Sequence, residues 1–165
     1  MSRWAFSVVM VLLLAGCSDP ASDTKQEETR TVSPPPSLQT SKVERSHDAV
    51  QVERGRVLYA ANCMACHGDQ AQGAVNWQKR DAKGRFPPPP LNGTGHAWHH
   101  PTKILKYTIS NGTGNIGGNM PAFRGKLSDA EMEDILEFLK QKWPDPLYEA
   151  WFWAEQRSLK PAQGG

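Results

Sequence analysis

"ANCMACHGD", residues 61–69, places two of the chain's three cysteines and one of its five histidines in five consecutive positions, Cys63 to His67. Two thiols separated by two residues suit a disulfide in an oxidising compartment, a redox-active pair, part of a zinc site or the attachment of a c-type haem. Neither the disulfide nor the redox pair explains why His67 follows at once. Zinc calls for further thiol or imidazole ligands, and no second CxxC exists. Haem attachment uses all three residues. The thiols of Cys63 and Cys66 reach two vinyl groups of one porphyrin as thioethers, and the adjacent imidazole of His67 swings beneath the ring to the iron.

The segments on either side are consistent with a chain built around such a body. Upstream, Val52, Gly55, Tyr59 and Cys63 recur at spacings of three and four, with Val57 and Leu58 filling the stripe. This predicts an amphipathic helix from about Ala49 that delivers Cys63 at its end. Gly55 is costly inside a helix, so a second helix is expected to approach there. Downstream, residues 68–95 have little periodicity, several glycines and the run Pro87 to Pro90. A loop of that length is normally functional or wrapped around something. "HPTKILKYTISNG" (100–112) reads as a short helix with Ile104, Leu105, Tyr107, Thr108 and Ile109 on its apolar side, followed by another loop. Ser128 and Glu131 form a capping-box pattern that opens a helix carrying Met132, Ile135, Leu136, Leu139 and Trp143 on one face, with Phe138 beside it. Pro144 and Pro146 are expected to stop it, and "LYEAWFWAEQR" (147–157) to add one more short helix. No repeat or convincing strand is present, so the fold class is all-α.

From about Asp48 to Trp143 the chain resembles a class I cytochrome c. "ERGRVLYAANCMACHG" (53–68) is similar to the family's first helix, and "ILEFLK" (135–140) to its last. The resemblance implies that these helices cross, with Gly55 near Ile135 to Leu139 and Tyr59 beside Phe138. It further implies short helices and long loops around one covalent haem c. "GGNMPAF" (117–123) resembles the family's loop carrying the second axial ligand, which makes Met120 the candidate opposite His67. Met1 and Met10 leave with the signal, Met64 lies within the attachment loop, and Met132 sits on a helix face as core. A metal-ligating histidine usually donates its other N–H to an acceptor. In the family a proline carbonyl two residues before a leucine does this, which selects Pro89, with Leu91 packed on the haem; register within the proline run leaves Pro88 and Pro90 open.

Two features lie outside that resemblance. His96, His99 and His100 cluster around Trp98, and the readings are a surface loop with Trp98 covering a haem edge, a copper or zinc site, or an alternative haem ligand. "KRDAKGR" (79–85) reads as solvated surface or as a docking patch for an acidic partner.

At the N-terminus, Arg3 precedes the apolar run 4–14 of a signal segment, which ends in "LAGC" (14–17). That resembles a bacterial lipobox, implying removal of residues 1–16 and acylation of Cys17, a durable anchor. Residues 17–47 are then a lipidated cysteine and a disordered tether, 48–146 the haem domain, and 147–165 an aromatic extension and polar tail. Ser18 after the cysteine favours the outer membrane over the inner, with the domain facing the periplasm. A formal charge of +2 with 22% charged residues argues against nucleic acid as partner. A mean hydropathy of −0.58 and 38% hydrophobic residues imply a small core that needs a staple or cofactor.

Three function classes follow. The expected one is a one-electron carrier between redox proteins of the cell envelope, with no small-molecule substrate and no enzyme activity. The alternatives are a metal-handling haem protein using the histidine loop, and a haem sensor or enzyme subunit with a displaceable Met120.

Overall fold

The computed structural model describes residues 43–160; the signal segment, Cys17 and the tether up to residue 42 lie outside them. Among the described residues there are five α-helices: α1 (Ala49–Asn62), α2 (Met64–His67, a single turn), α3 (Thr102–Asn111), α4 (Asp129–Gln141) and α5 (Asp145–Leu159). They carry no strand, only two isolated bridges, Phe86 with Gly118 and Arg124 with Leu127. No helix among them is long and apolar enough to cross a membrane.

The start of α1 is fixed by Asp48, whose Oδ1 accepts from Val50 N at 2.8 Å. It packs chiefly on α4, and the crossing is set by one missing side chain. A Cβ on Gly55 would overlap the Asp134 carbonyl and lie 3.0 Å from Phe138 Cβ. The tilted Tyr59 and Phe138 rings, 5.3 Å apart, continue the contact one turn on. The capping box of α4 is formed in both directions: Glu131 N donates to Ser128 Oγ at 3.2 Å, and Ser128 N donates to Glu131 Oε2 at 2.7 Å. Its apolar face, Met132, Ile135, Leu136 and Leu139, forms the core with Tyr59, Ala71, Ile109, Phe123 and Leu127. Burying each large aliphatic side chain there contributes about 1.5–3 kcal/mol.

Three residues expected on apolar faces differ. Val57 is 53% exposed and fills no stripe; on α3, Ile104 and Tyr107 are exposed while Leu105 and Ile109 face the core. The reason is geometric: α1 and α3 each meet the core along a narrow seam, so apolar residues one position off it point outward.

The C-terminal extension is longer than expected. Pro144 stands at the N-cap of α5 and Pro146 in its first turn, positions where a missing N–H costs nothing; the residues that end α4 therefore also open a 15-residue helix. Trp143, Tyr148 and Trp151 form a second buried cluster, joined by Trp98 and Val43. Lys140, paired with Glu137, lies over the Trp151 ring at 4.2 Å. Residues 43–47, expected in the tether, are docked on this cluster. Arg45 donates to Trp143 O at 2.6 Å and pairs with Asp145 at 2.9 Å, and His47 lies 3.3 Å from Glu137.

On the α1–α4 seam, Arg54 Nε and Nη2 donate to the two Asp134 oxygens at 2.8 and 3.0 Å. Those hydrogen bonds hold the Asp134 carboxyl below its ordinary value, against the opposing pull of desolvation. A carboxyl depressed in the folded state stabilises above its unfolded pKa of about 3.9 and loses that contribution as pH falls through the folded value. Asp134→Asn is therefore expected to melt below wild type at pH 7, with the gap closing below about pH 4; thermal melts across that range check it.

Candidate functional site

α1 hands directly to the cysteine motif. Cys63 N donates to Tyr59 O at 2.8 Å, closing α1, and His67 N donates to Cys63 O at 2.9 Å within the following turn. Gly68, at φ 82°, ends α2, and the buried Tyr59 hydroxyl donates to its carbonyl at 2.7 Å. The helix that crosses α4 thus also fixes the backbone on both sides of His67.

Cys63 is half-buried and Cys66 is exposed, and no disulfide joins them. Burial, with Cys66 alongside, pushes the Cys63 thiol up to about 11. Redox-active cysteines have the opposite shift, because the thiolate is the nucleophile. His67 is buried at 6% exposure, and burial lowers its pKa while the Pro89 carbonyl opposes that shift. Its imidazole is therefore neutral near pH 7, the state that ligates metal.

The carbonyl within reach of His67 Nδ1 is that of Pro89, at 2.9 Å. Pro88 O instead accepts from Ala74 N at 2.8 Å, and Leu91 N donates to Ala71 O at 2.7 Å. Gly73 makes this approach possible: at φ 68°, a Cβ would sit 2.5 Å from the Pro89 carbonyl carbon. With Nδ1 engaged, Nε2 is the nitrogen left for a ligand. Trp143 Nε1 donates to Leu91 O at 2.8 Å, tying the end of the proline run to the second cluster.

Met120 and Leu91 are half-buried and pack, like Cys63, against the cluster containing Tyr59 and Leu136. The Met120 backbone is held at both ends by Thr113: Met120 N donates to Thr113 Oγ1 and Thr113 N to Met120 O, each at 3.0 Å. The Cys63 thiol and the Met120 thioether thus border a single apolar cluster, with Cys66 and the neutral, tautomer-fixed imidazole of His67 on the adjoining turn, a donor set that fits haem c. Thr113, Gly73 and the Tyr59 hydroxyl were not anticipated as site residues; the sequence signals were Tyr59 as a helix-face aromatic and Gly73 as one of several glycines in a long loop.

The histidine loop is arranged differently. His96 stacks on Trp77 at 5.5 Å, His99 on Trp98 at 3.6 Å, and His96 meets His100 edge-on at 5.7 Å. Among the described residues no group of three or more His, Cys, Asp or Glu is placed to hold a metal ion. Trp98 packs on the second cluster, of Trp143, Tyr148 and Trp151, and donates from Nε1 to Gly95 O at 3.0 Å. In the 79–85 run, Arg80 donates to Gly84 O at 2.6 Å and lies over the Phe86 ring at 4.2 Å.

Comparison with known proteins gives one consistent result. Residues 50–139, more than half of the chain, match the family model described as cytochrome c oxidase, cbb3-type, subunit III. The chain is 33% identical over 95 residues to the cbb3-type cytochrome c oxidase subunit CcoP of Azospirillum sp. (strain B510), covering 58% of this chain but only 30% of that relative. It is 31% identical over 93 residues to cytochrome c6 of Picosynechococcus sp. (strain ATCC 27264 / PCC 7002 / PR-6), covering 55% of this chain and 73% of that protein. Cytochrome c6 of Bumilleriopsis filiformis is 30% identical over 90 residues, 53% of this chain and 87% of its own length. No solved structure matches significantly.

Proposed function

Because this chain belongs to the class I cytochrome c family, whose members carry covalent haem c, we propose that it is a one-electron carrier of the bacterial cell envelope, with one haem tethered through Cys63 and Cys66 and its iron held between His67 and Met120. The observation that carries the reading is the 2.9 Å contact between His67 Nδ1 and Pro89 O, beside an apolar cluster bordered by Cys63, Leu91 and Met120. Bound haem supplies a one-electron iron couple, and Met/His ligation raises its reduction potential.

The chain's own residues set the conditions for that couple. Pro89 fixes the His67 tautomer and strengthens it as a donor. The Met120 thioether, a soft ligand, favours ferrous iron. Tyr59, Leu91, Leu136 and the rest of the apolar cluster exclude water. With His67 and Met120 both as ligands, a bound haem iron would have no coordination site left for a substrate, which favours a carrier over an enzyme or sensor. The exposed basic run 79–85 suits an acidic redox partner. The likeness to an oxidase subunit supports a membrane redox complex as donor or acceptor, although the chain spans under a third of that relative. Acylation of Cys17 would hold the domain to a membrane, the outer one favoured, through a tether that the docked residues 43–47 shorten at its C-terminal end.

A spectroelectrochemical titration of the exported protein tests this. The expected result is a single reversible one-electron transition, with a ferrous form that binds carbon monoxide slowly. Immediate carbon monoxide binding by wild type would favour the sensor or enzyme class.

A further inference from the structure

Residues 79–86 close into a self-contained turn. Asp81 N donates to Arg85 O at 2.8 Å and Gly84 N to Asp81 O at 2.9 Å. Asp81 Oδ1 accepts from Lys83 N at 2.8 Å and Arg85 N at 2.9 Å. This turn bears on the loop that carries Met120. Phe86 N donates to Gly117 O at 2.8 Å, and Phe86 and Gly118 form a bridge. The Arg80 guanidinium, laid over Phe86, sits so close to Gly117 that a Cβ there would be 2.7 Å from Nη1. Asn119, the residue before Met120, faces the Asp81 carboxylate and helps hold it below its ordinary value, after the backbone N–H groups of Arg85 and Lys83.

The same segment reaches the other ligand. Phe86 is followed by Pro87 to Pro90, and Pro89 is the acceptor for His67. Each proline fixes φ near −65°, and an extended proline run advances about 3.1 Å per residue as a semi-rigid rod. Three residues therefore join the hydrogen bond to the Met120 loop with the hydrogen bond to His67. The Met120 backbone is hydrogen-bonded to Thr113 within its loop; the 79–86 turn adds support from outside that loop.

We propose that the 79–86 turn is a clamp on the Met120 loop, with Asp81, Arg80 and Phe86 as positioning residues that set how often Met120 leaves the iron, and with the proline run tying that clamp to the His67 side. This rests on the His67/Met120 ligation proposed above. The clamp adds contacts only when the Met120 loop is in place, so it biases the equilibrium between Met120-on and Met120-off states.

The test compares wild type, Asp81→Ala, Asp81→Asn and Asn119→Ala as haem-loaded proteins. The readouts are the methionine–iron charge-transfer band of the ferric form, the reduction potential, and the rate at saturating carbon monoxide, which reports Met120 departure. Asp81→Ala is expected to keep its covalent haem, weaken the band, lower the potential and bind carbon monoxide about tenfold faster, as a shifted on/off equilibrium requires. Asn119→Ala, which removes the polar side chain that faces Asp81 from the Met120 loop, should move these readouts in the same direction. Asp81→Asn keeps an oxygen acceptor for Lys83 and Arg85 and should restore wild-type behaviour. If Asp81→Ala and Asn119→Ala both keep the wild-type band and rate, the clamp is overturned while the ligation stands. A wild-type protein that itself lacks the band overturns the ligation instead.

Discussion

A chain carrying both Cys63→Ser and Cys66→Ser is expected to be exported without covalent haem and without its native fold. The described core is small: nine buried residues around α1, α4 and the loops, with Cys63, Leu91 and Met120 only half-buried at its margin. In the haem-loaded protein those three side chains gain an apolar partner; without it they line a wet edge. The loops lose most, since residues 68–96 have no regular element of their own and ordering a residue's backbone costs about 1–2 kcal/mol. The check is haem that stays with the polypeptide after denaturation, together with far-ultraviolet circular dichroism. The double variant should show no retained haem and reduced helicity. Single replacements should retain haem through one thioether. Wild-type helicity in the haem-free double variant would mean that α1 and α4 stand without the cofactor.

Met120→Ala is expected to leave the haem attached but open one face of the iron. Its reduction potential should fall by on the order of 0.1–0.3 V, within the roughly 0.8 V range that axial ligands command. Carbon monoxide should then bind the ferrous form without waiting for a ligand to leave. The fold should survive, because Met120 is half-buried and its loop keeps contacts that do not use its side chain, including Phe123 N to Ile109 O at 3.1 Å and Arg124 N to Ser110 O at 3.0 Å. A variant with wild-type potential and wild-type resistance to carbon monoxide would place the second ligand elsewhere. Potentiometry and stopped-flow mixing decide between the two.

How much of this was legible beforehand differs from element to element, for physical reasons. The approach of a second helix at Gly55 was readable because glycine is costly inside an amphipathic helix; that the approaching helix is α4 was implied by the family resemblance, and Gly55 has that role. The α4 boundaries were readable because a capping box is local chemistry written in two residues, Ser128 and Glu131. α5 was underestimated: a proline that ends one helix has the φ angle and missing N–H that suit the first turn of the next, and sequence does not say which role dominates. Residues 43–47 read as tether because composition carries no trace of Arg45 reaching Trp143 and Asp145, nearly a hundred residues away. The support around Met120 was invisible for a similar reason. Phe86 acts through its backbone N–H, and Thr113 through its backbone N–H and its hydroxyl, in positions set by tertiary geometry that neither residue type announces.

The measurement that bears most directly on the whole account is the intact mass of the exported wild-type protein, taken under denaturing conditions. The account predicts a polypeptide heavier by one haem, with the added mass localised to the peptide containing Cys63 and Cys66. A mass equal to that of the bare polypeptide, or haem lost on denaturation, would contradict it.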